Sequence, residues 1–316
     1  MNEHDEAFDA GAAYARFIAT KSRRPNRSPW YLGAALATAA VLAIVFAAPL
    51  GSVAQSFLTI FQPKQFVAID VSSMHDAKHK LIPMLTDYGT FAKVRPSATA
   101  RPASVAEASR FTGFHVVAPA SVPDQVGATH VYRATGTTVN TFRFDSAIAR
   151  KSVARTGHQL PAMPAGLDGT KVTVAVGPMV ETIWGSARAA FGDRSAKSAM
   201  LHEDGLVVIQ SRAPVVRSSG ASLAELEGYL LQMPGISPEL ADQIRAIGDP
   251  SATLPIPIVG TKQSAHPVDI EGAQGLAIGD DTGLGAGVLW QRDGYVYAVF
   301  GTLTQDQVVA IATSLR

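Results

Sequence analysis

The chain of 316 residues carries 27 Lys and Arg against 26 Asp and Glu, a formal net charge of +1, and no cysteine. Near-neutrality excludes a strong overall field of the kind that gathers nucleic acid or acidic substrates. The absence of cysteine excludes disulfides, thiolate metal sites and a cysteine nucleophile, so an exported domain of this chain is held by packing and suits a bacterial cell envelope.

Residues 1–29 form a polarised tail, with Glu3, Asp5, Glu6 and Asp9 ahead of Arg16, Lys21, Arg23, Arg24 and Arg27. From Asp5 to Thr20 that order complements a helix dipole. Phe8, Tyr14, Phe17 and Ile18 give the helix a partial apolar face. That face is a candidate contact for a cytoplasmic partner; the plainer reading is a stub lying near lipid headgroups.

No charged residue occurs from Ser28 to Pro63. The core of this run, residues 30–50, is carried by Trp30, Tyr31, Leu32, Leu36, Val41, Leu42, Ile44, Val45, Phe46 and Leu50. About 20 apolar residues at roughly 1.5 Å each span the roughly 30 Å hydrocarbon layer, which predicts one transmembrane helix. The basic cluster Lys21, Arg23, Arg24 and Arg27 predicts a cytoplasmic N-terminus and an exported C-terminal part. Pro49 and the small residues Ser52-Val53-Ala54 keep a cleaved signal peptide open as the rival. The apolar core is longer than a usual signal core, which favours the uncleaved anchor. Arg23-Arg24 is followed by Pro25-Asn26 where a twin-arginine signal needs an apolar stretch. Ala34, Ala35, Ala37, Ala39 and Ala40 would permit close helix contact, though a lone anchor is the simpler reading.

Residues 51–103 are expected to form a juxtamembrane segment and linker. Val53, Phe57, Ile60 and Phe61 continue with roughly helical spacing as an interfacial helix up to Pro63. Gln65 to Val71 reads as a strand, and Met74 to Asp87 as a helix bent or broken at Pro83. The Pro/Ala/Ser/Arg stretch from Arg95 to Ala103 is the best linker candidate.

Residues 104–316 are expected to form an extracytoplasmic α+β domain of mainly antiparallel sheet with a few packed helices. Ser104 with Glu107, Ser222 with Glu225 and Thr304 with Gln307 match the capping box that opens a helix. In the last, Leu303 and Val308 hold the staple positions, and Val308, Ile311, Ala312 and Leu315 form one apolar stripe. Strands are predicted at Phe114–Val117, Thr129–Tyr132, Val139–Phe144, Lys171–Val176, Gly205–Gln210 and Ala273–Ile278. Val288–Arg292 and Tyr295–Phe300 flank Asp293-Gly294, the residues a type I′ turn prefers. This register pairs Trp290 with Tyr297, and apolar residues on both faces predict a central hairpin with the C-terminal helix lying on it.

The chemical motifs each have a plain reading. His75 and His79, four apart on a predicted helix, could face one metal ion, but no third ligand stands nearby and a solvated polar face accounts for them. The glycine-rich run from Gly279 to Gly287 leads into a strand rather than a helix, so it reads as a sheet connection and not a phosphate loop. Met233 to Ile244 resembles the turn and second helix of a helix-hairpin-helix motif. It lacks the second glycine, which is Ser237, and lacks basic company, so Ser237 capping, Pro238 at the first helical position and a stripe of Leu240, Ile244 and Ile247 suffice. No serine sits in a nucleophile elbow and no paired carboxylates stand out. The expectation is no catalytic site, no cofactor, no metal and no nucleic-acid partner.

Two stretches carry a resemblance. Residues 106–123 (AEASRFTGFHVVAPASVP) run as a short helix, a Gly-Phe lead into a strand and a turn bracketed by prolines. Leu289-Trp290, Asp293 to Gly301 and Ile311 to Leu315 form a closing hairpin and helix. Together they resemble an extracytoplasmic domain family of uncharacterised function, found in single-pass bacterial membrane proteins related to anti-sigma factors. More distantly, the chain is similar to periplasmic regulators of envelope-stress sigma factors and to lipoprotein carriers, whose curved sheets hold lipid. The resemblance implies a membrane-anchored, non-enzymatic sensor or regulator with a protein partner in the envelope or cytoplasm. The alternative is an exported carrier module for a lipid or other apolar ligand. The tail lacks a full sigma-binding domain, which argues against direct sigma-factor sequestration.

Overall fold

A computed structural model describes residues 58–61, 63–71, 86–93, 97–156, 161–190, 204–233, 236–260, 262–283 and 285–316. The strands are β1 (Leu58–Phe61), β2 (Gln65–Asp70), β3 (Gly89–Lys93), β4 (Thr99–Ala100), β5 (His130–Thr135), β6 (Thr138–Phe144), β7 (Lys171–Val176) and β8 (Met179–Gly185). They continue with β9 (Gly205–Arg212), β10 (Val215–Ser218), β11 (Thr253–Ile258), β12 (Gln263–Ile270), β13 (Ala273–Asp280), β14 (Ala286–Arg292) and β15 (Tyr295–Gly301). The helices are α1 (Val105–Thr112), α2 (Ser146–Thr156), α3 (Ala187–Ala190), α4 (Leu223–Leu230), α5 (Pro238–Arg245) and α6 (Gln305–Thr313). The fold is α+β with mainly antiparallel sheet and few helices.

Two antiparallel sheets run in matching order. One is β1-β10-β7-β6-β3 and the other is β12-β13-β14-β15-β9-β8-β5-β4. Chain segments pass directly from one sheet to the other at Gly136-Thr137 (β5 to β6), Gly177-Pro178 (β7 to β8) and Ala213-Pro214 (β9 to β10). The three crossings sit side by side, so neighbouring strands bend together around one corner. Proline at 178 and 214 removes an N–H where each ladder must end. Gly177 takes φ +88, and a Cβ on Gly136 would collide with the Ser97 side chain. Backbone bonds from Gly136 N to Ala98 O (2.8 Å) and Arg212 N to Pro178 O (3.2 Å) stitch the corner together.

The inner faces of both sheets share one apolar cluster. Phe142, Phe144, Val172, Val174 and Val216 come from the smaller sheet, and Ile183, Val207, Ile209, Leu276, Leu289 and Phe300 from the larger. The hollow between them is filled by the chain itself, through Leu226 and Leu230 of α4, Ala241 and Ile244 of α5, Ile69 of β2, and Leu254 and Ile256 of β11. β2 and β11 form a separate parallel pair inside this filling. Pro255 and Pro257 lie two apart, so both missing N–H groups fall on the edge turned away from β2. On the outer face α6 lies on β13, β14 and β15. Its Val308, Ile311 and Ala312 meet Val288, Trp290 and Val299, while Leu315 is partly buried at the rim.

The closing hairpin forms as the sequence predicts. Asp293 and Gly294 take φ +52 and +80, and Trp290 stacks on Tyr297 at 5.3 Å. Ser222 and Thr304 make complete capping boxes. Ser104 accepts from Glu107 N, whereas the Glu107 carboxylate reaches back one residue further, to Ala103 N. The strand readings at 65–71, 129–132, 139–144, 171–176, 205–210 and 273–278 overlap β2, β5, β6, β7, β9 and β13.

Three local expectations are corrected. The helix expected to continue to Pro63 is a strand over Leu58–Phe61, because pairing with β10 outweighs a weak helical spacing. The linker stretch 95–103 carries β4, which pairs with β5 through Thr99 and Ala100, and Pro102 beside it is buried. Phe114–Val117 joins no sheet. Its extended backbone lies on the outer face, where fully buried Gln210 accepts from Val117 N (2.8 Å) and donates to Val117 O (2.6 Å), replacing a ladder with one side-chain amide. The next residues are held by the C-terminus, with Ala118 and Arg316 exchanging backbone bonds. β1 to β4 thus complete sheets whose other strands come from residues 104–316. Of the helix expected at 74–87, only the last two residues lie within the described part.

Gln210→Ala removes both bonds to Val117 from a buried site. The expected cost is about 1–3 kcal/mol, read as a lower midpoint in urea unfolding.

Candidate functional site

The sequence-predicted anchor residues Trp30, Tyr31, Leu32, Leu36, Val41, Leu42, Ile44, Val45, Phe46 and Leu50 lie outside the described residues. So do Lys21, Arg23, Arg24 and Arg27, the tail residues Phe8, Tyr14, Phe17 and Ile18, and the pair His75 and His79. Among the described residues no helix is long and apolar enough to cross a membrane, and no group of three or more His, Cys, Asp or Glu could hold a metal ion. The glycine-rich run joins β13 to β14 as a hairpin connection, where the Asp280 carboxylate accepts from Thr282 N (3.1 Å) and Oγ1 (2.6 Å). In the helix-hairpin-helix look-alike, Ser237 caps Leu240 N at 3.2 Å. Ala241 and Ile244 are buried there, with Leu240 and Ile247 half-buried.

A pocket of about 380 Å³ opens at the edge of the larger sheet, lined by Arg101, Pro102, Ala103, His130, Val131, Tyr132 and Arg133. It exists because β4 covers β5 only at Ala134 and Thr135. Beyond Ala100 the chain departs toward α1, leaving the first part of β5 facing the gap.

Strand alternation splits the lining between two faces. His130 and Tyr132 point outward with Trp184. The His130 Nδ1 lies 3.1 Å from the Ala128 carbonyl and Nε2 lies 3.1 Å from the Tyr132 hydroxyl. A neutral ring protonated on Nδ1 satisfies both, with the phenol donating to Nε2. Trp184 packs on the same ring at 5.2 Å. Burial raises the Tyr132 phenol above its ordinary range.

Arg133 points inward and meets Glu181, its neighbour on β8, with Nε 3.1 Å from Oε2. The contact is an ion pair rather than an aligned hydrogen bond, since Oε2 makes none. Burial raises the Glu181 carboxyl above the ordinary glutamate range, and the Arg133 charge opposes that rise without cancelling it. The sequence held one signal for this pair: Glu181 is the lone charge in the strand 179–185. The outward part of the lining offers an imidazole and a phenol, while the Arg133 guanidinium is turned to the other face of the sheet against Glu181. The lining presents no nucleophile paired with a base.

Comparison with protein-family models, with curated proteins and with solved structures finds no match.

A carboxyl raised by folding binds its proton more tightly in the native state. Its contribution is greatest below the unfolded value and declines as pH rises through the glutamate range toward the folded value. Glu181→Gln should therefore flatten the fall in stability as pH rises out of the ordinary glutamate range, measured as unfolding midpoint against pH. Arg133→Met should cost about 1–2 kcal/mol at neutral pH, between an exposed pair and the about 3–5 kcal/mol of a fully buried one, because the Arg133 side chain is 40% exposed. The double variant with Glu181→Leu should recover most of that loss in urea unfolding.

Proposed function

We propose that this chain is a membrane-anchored, non-enzymatic envelope protein that senses or regulates through an exported protein- or ligand-binding domain. Residues 30–50 are the anchor, oriented by Lys21, Arg23, Arg24 and Arg27 with the N-terminus in the cytoplasm. The single observation that carries the reading is how the chain leaves that segment. Eight residues after Leu50 it enters β1, at the edge of the smaller sheet, and then β2, inside the filling of the hollow. The first two described strands after that segment thus belong to two different layers of the domain. A change in the packing of α4, α5 or β11 acts on β2, which follows β1 after only Gln62, Pro63 and Lys64 in sequence, and this suits a signal passed toward the membrane. The kinship to the anti-sigma-related family belongs to this proposal, with Phe8, Tyr14, Phe17 and Ile18 as the contact for a cytoplasmic partner.

A carrier for a lipid or other apolar ligand is the second reading, favoured by the apolar inner faces of two sheets meeting at a corner. Against it, Leu226, Leu230, Ile244 and Ile256 already occupy the described part of that hollow. Native mass spectrometry of the gently extracted protein separates the two, since a carrier should release a co-purifying apolar ligand.

Periplasm-active and cytoplasm-active reporters fused after Arg316 test the topology. The expected outcome is external activity in a full-length product that resists carbonate extraction. A product cut near Ala54, or internal activity, overturns the anchored reading. Pull-downs with the tail peptide and with the full chain should both retain a cytoplasmic protein; failure of both removes the signalling role.

A further inference from the structure

The five strands of the smaller sheet contain no Asp or Glu and four cations, Lys93, Arg143, Lys171 and Arg217. Strand alternation fixes where three of them point. Phe142, Phe144, Val172, Val174 and Val216 face the core, so Arg143, Lys171 and Arg217, all exposed, lie on the outer face. Thr141 and Thr173 share that face, their hydroxyls 3.4 Å apart.

The cations are neighbours. Arg143 and Lys171 are direct cross-strand partners, and Arg217 pairs with Thr173, two residues along from Lys171. Like charges directly opposite each other in a sheet are destabilising. An adjacent anionic surface would offset that repulsion. Among the described residues, Asp168 lies near Arg143, and its carboxylate accepts from the Ser146 N–H (2.8 Å) and hydroxyl (3.0 Å). Those two bonds, with smaller help from Arg150 and Arg143, hold it below the usual aspartate range. Among the described residues, the principal helix contacts fall on β12 to β15, β5, β8, β9, β2 and β3 rather than on β6, β7 or β10.

Position supplies the occupant. β1 is an edge strand of this sheet, and its first residue follows Leu50 by eight residues, a reach of about 28 Å at full extension. Resting on the anchored reading above, this tether keeps the smaller sheet, whose edge it enters, beside the lipid.

We infer that the outer face formed by Arg143, Lys171 and Arg217 docks on the anionic headgroups of the membrane that holds the anchor. The surface recognised is one of lipid phosphates, with threonine hydroxyls between the cations as further donors. Docking fixes the orientation of the domain and presents the larger sheet, with the pocket at β5, away from the bilayer.

The full chain tests this directly, because its lack of cysteine makes Thr173→Cys a unique attachment point for a fluorophore. The labelled protein is placed in nanodiscs containing a headgroup-quencher lipid, either in phosphatidylcholine alone or with phosphatidylglycerol added. Quenching should rise with phosphatidylglycerol and fall at high salt, where exposed charges are screened. It should be lost when Arg143→Gln, Lys171→Gln and Arg217→Gln are combined. Each cation near an anionic surface strengthens association about fivefold, so the triple variant should weaken docking about a hundredfold. A label at Ser264→Cys on β12 should not respond. Equal quenching in both lipids, or a triple variant that behaves like its parent, overturns the inference. Co-elution with the discs reports the anchor separately. If the chain stays outside them, the same labelled protein added to anionic and neutral vesicles still decides whether this face binds lipid charge.

Discussion

The corner at which strands pass from one sheet to the other is the constraint on which the rest of this molecule depends. A flat sheet of these strands would expose one apolar face too broad for the available helices to cover. Bending at Gly136-Thr137, Gly177-Pro178 and Ala213-Pro214 turns the inner faces of the two sheets toward one another. Burial then becomes a matter of filling a hollow. The chain fills it with α4, α5 and the β2–β11 pair, each apolar on the side turned inward. Each buried aliphatic side chain contributes about 1.5–3 kcal/mol against the entropy of ordering the chain. A defect in the filling therefore acts on both sheets together.

The same bend gives the two ends different chemistry. The smaller sheet turns a threonine and cation face outward, uncovered by the principal helix contacts among the described residues, and carries β1 on its edge. The larger sheet is covered by α6 and α1 on its outer face and opens a pocket where β4 stops short of β5. The Arg133–Glu181 pair stands at that edge, half in the shared interior. A charge pair of this sort contributes little net stability once desolvation is counted. Its interest lies in linking the pocket wall to the core that also holds β2.

Much of the outer architecture was legible from residues close together in the chain. Asp293-Gly294 can take positive φ at both positions, and that alone set the register bringing Trp290 onto Tyr297. Ser222 with Glu225 and Thr304 with Gln307 are local hydrogen-bond exchanges, so their helix starts could be read directly. What was not legible depended on distant partners. Leu58–Phe61 resembles a helix end until β10 lies beside it. The strand 253–258 contains two prolines, which speak against a strand unless both fall on a free edge. Phe114–Val117 has strand composition, but one glutamine amide holds it off the sheet. The pocket was invisible for the same reason: Arg101 and the segment 130–133 meet only after β4 pairs with β5.

The sequence by itself determined the uncharged run before β1, the closing hairpin, the capped helices and the mainly antiparallel α+β character. These rest on composition, two-residue turns and contacts within a few positions. Only the tertiary structure decided that strands bend through one corner and that the chain fills its own hollow. It also decided that Arg143, Lys171 and Arg217 stand together on one outward face. Strand order and cross-strand register are long-range choices, selected by the total apolar surface removed from water rather than by any short segment.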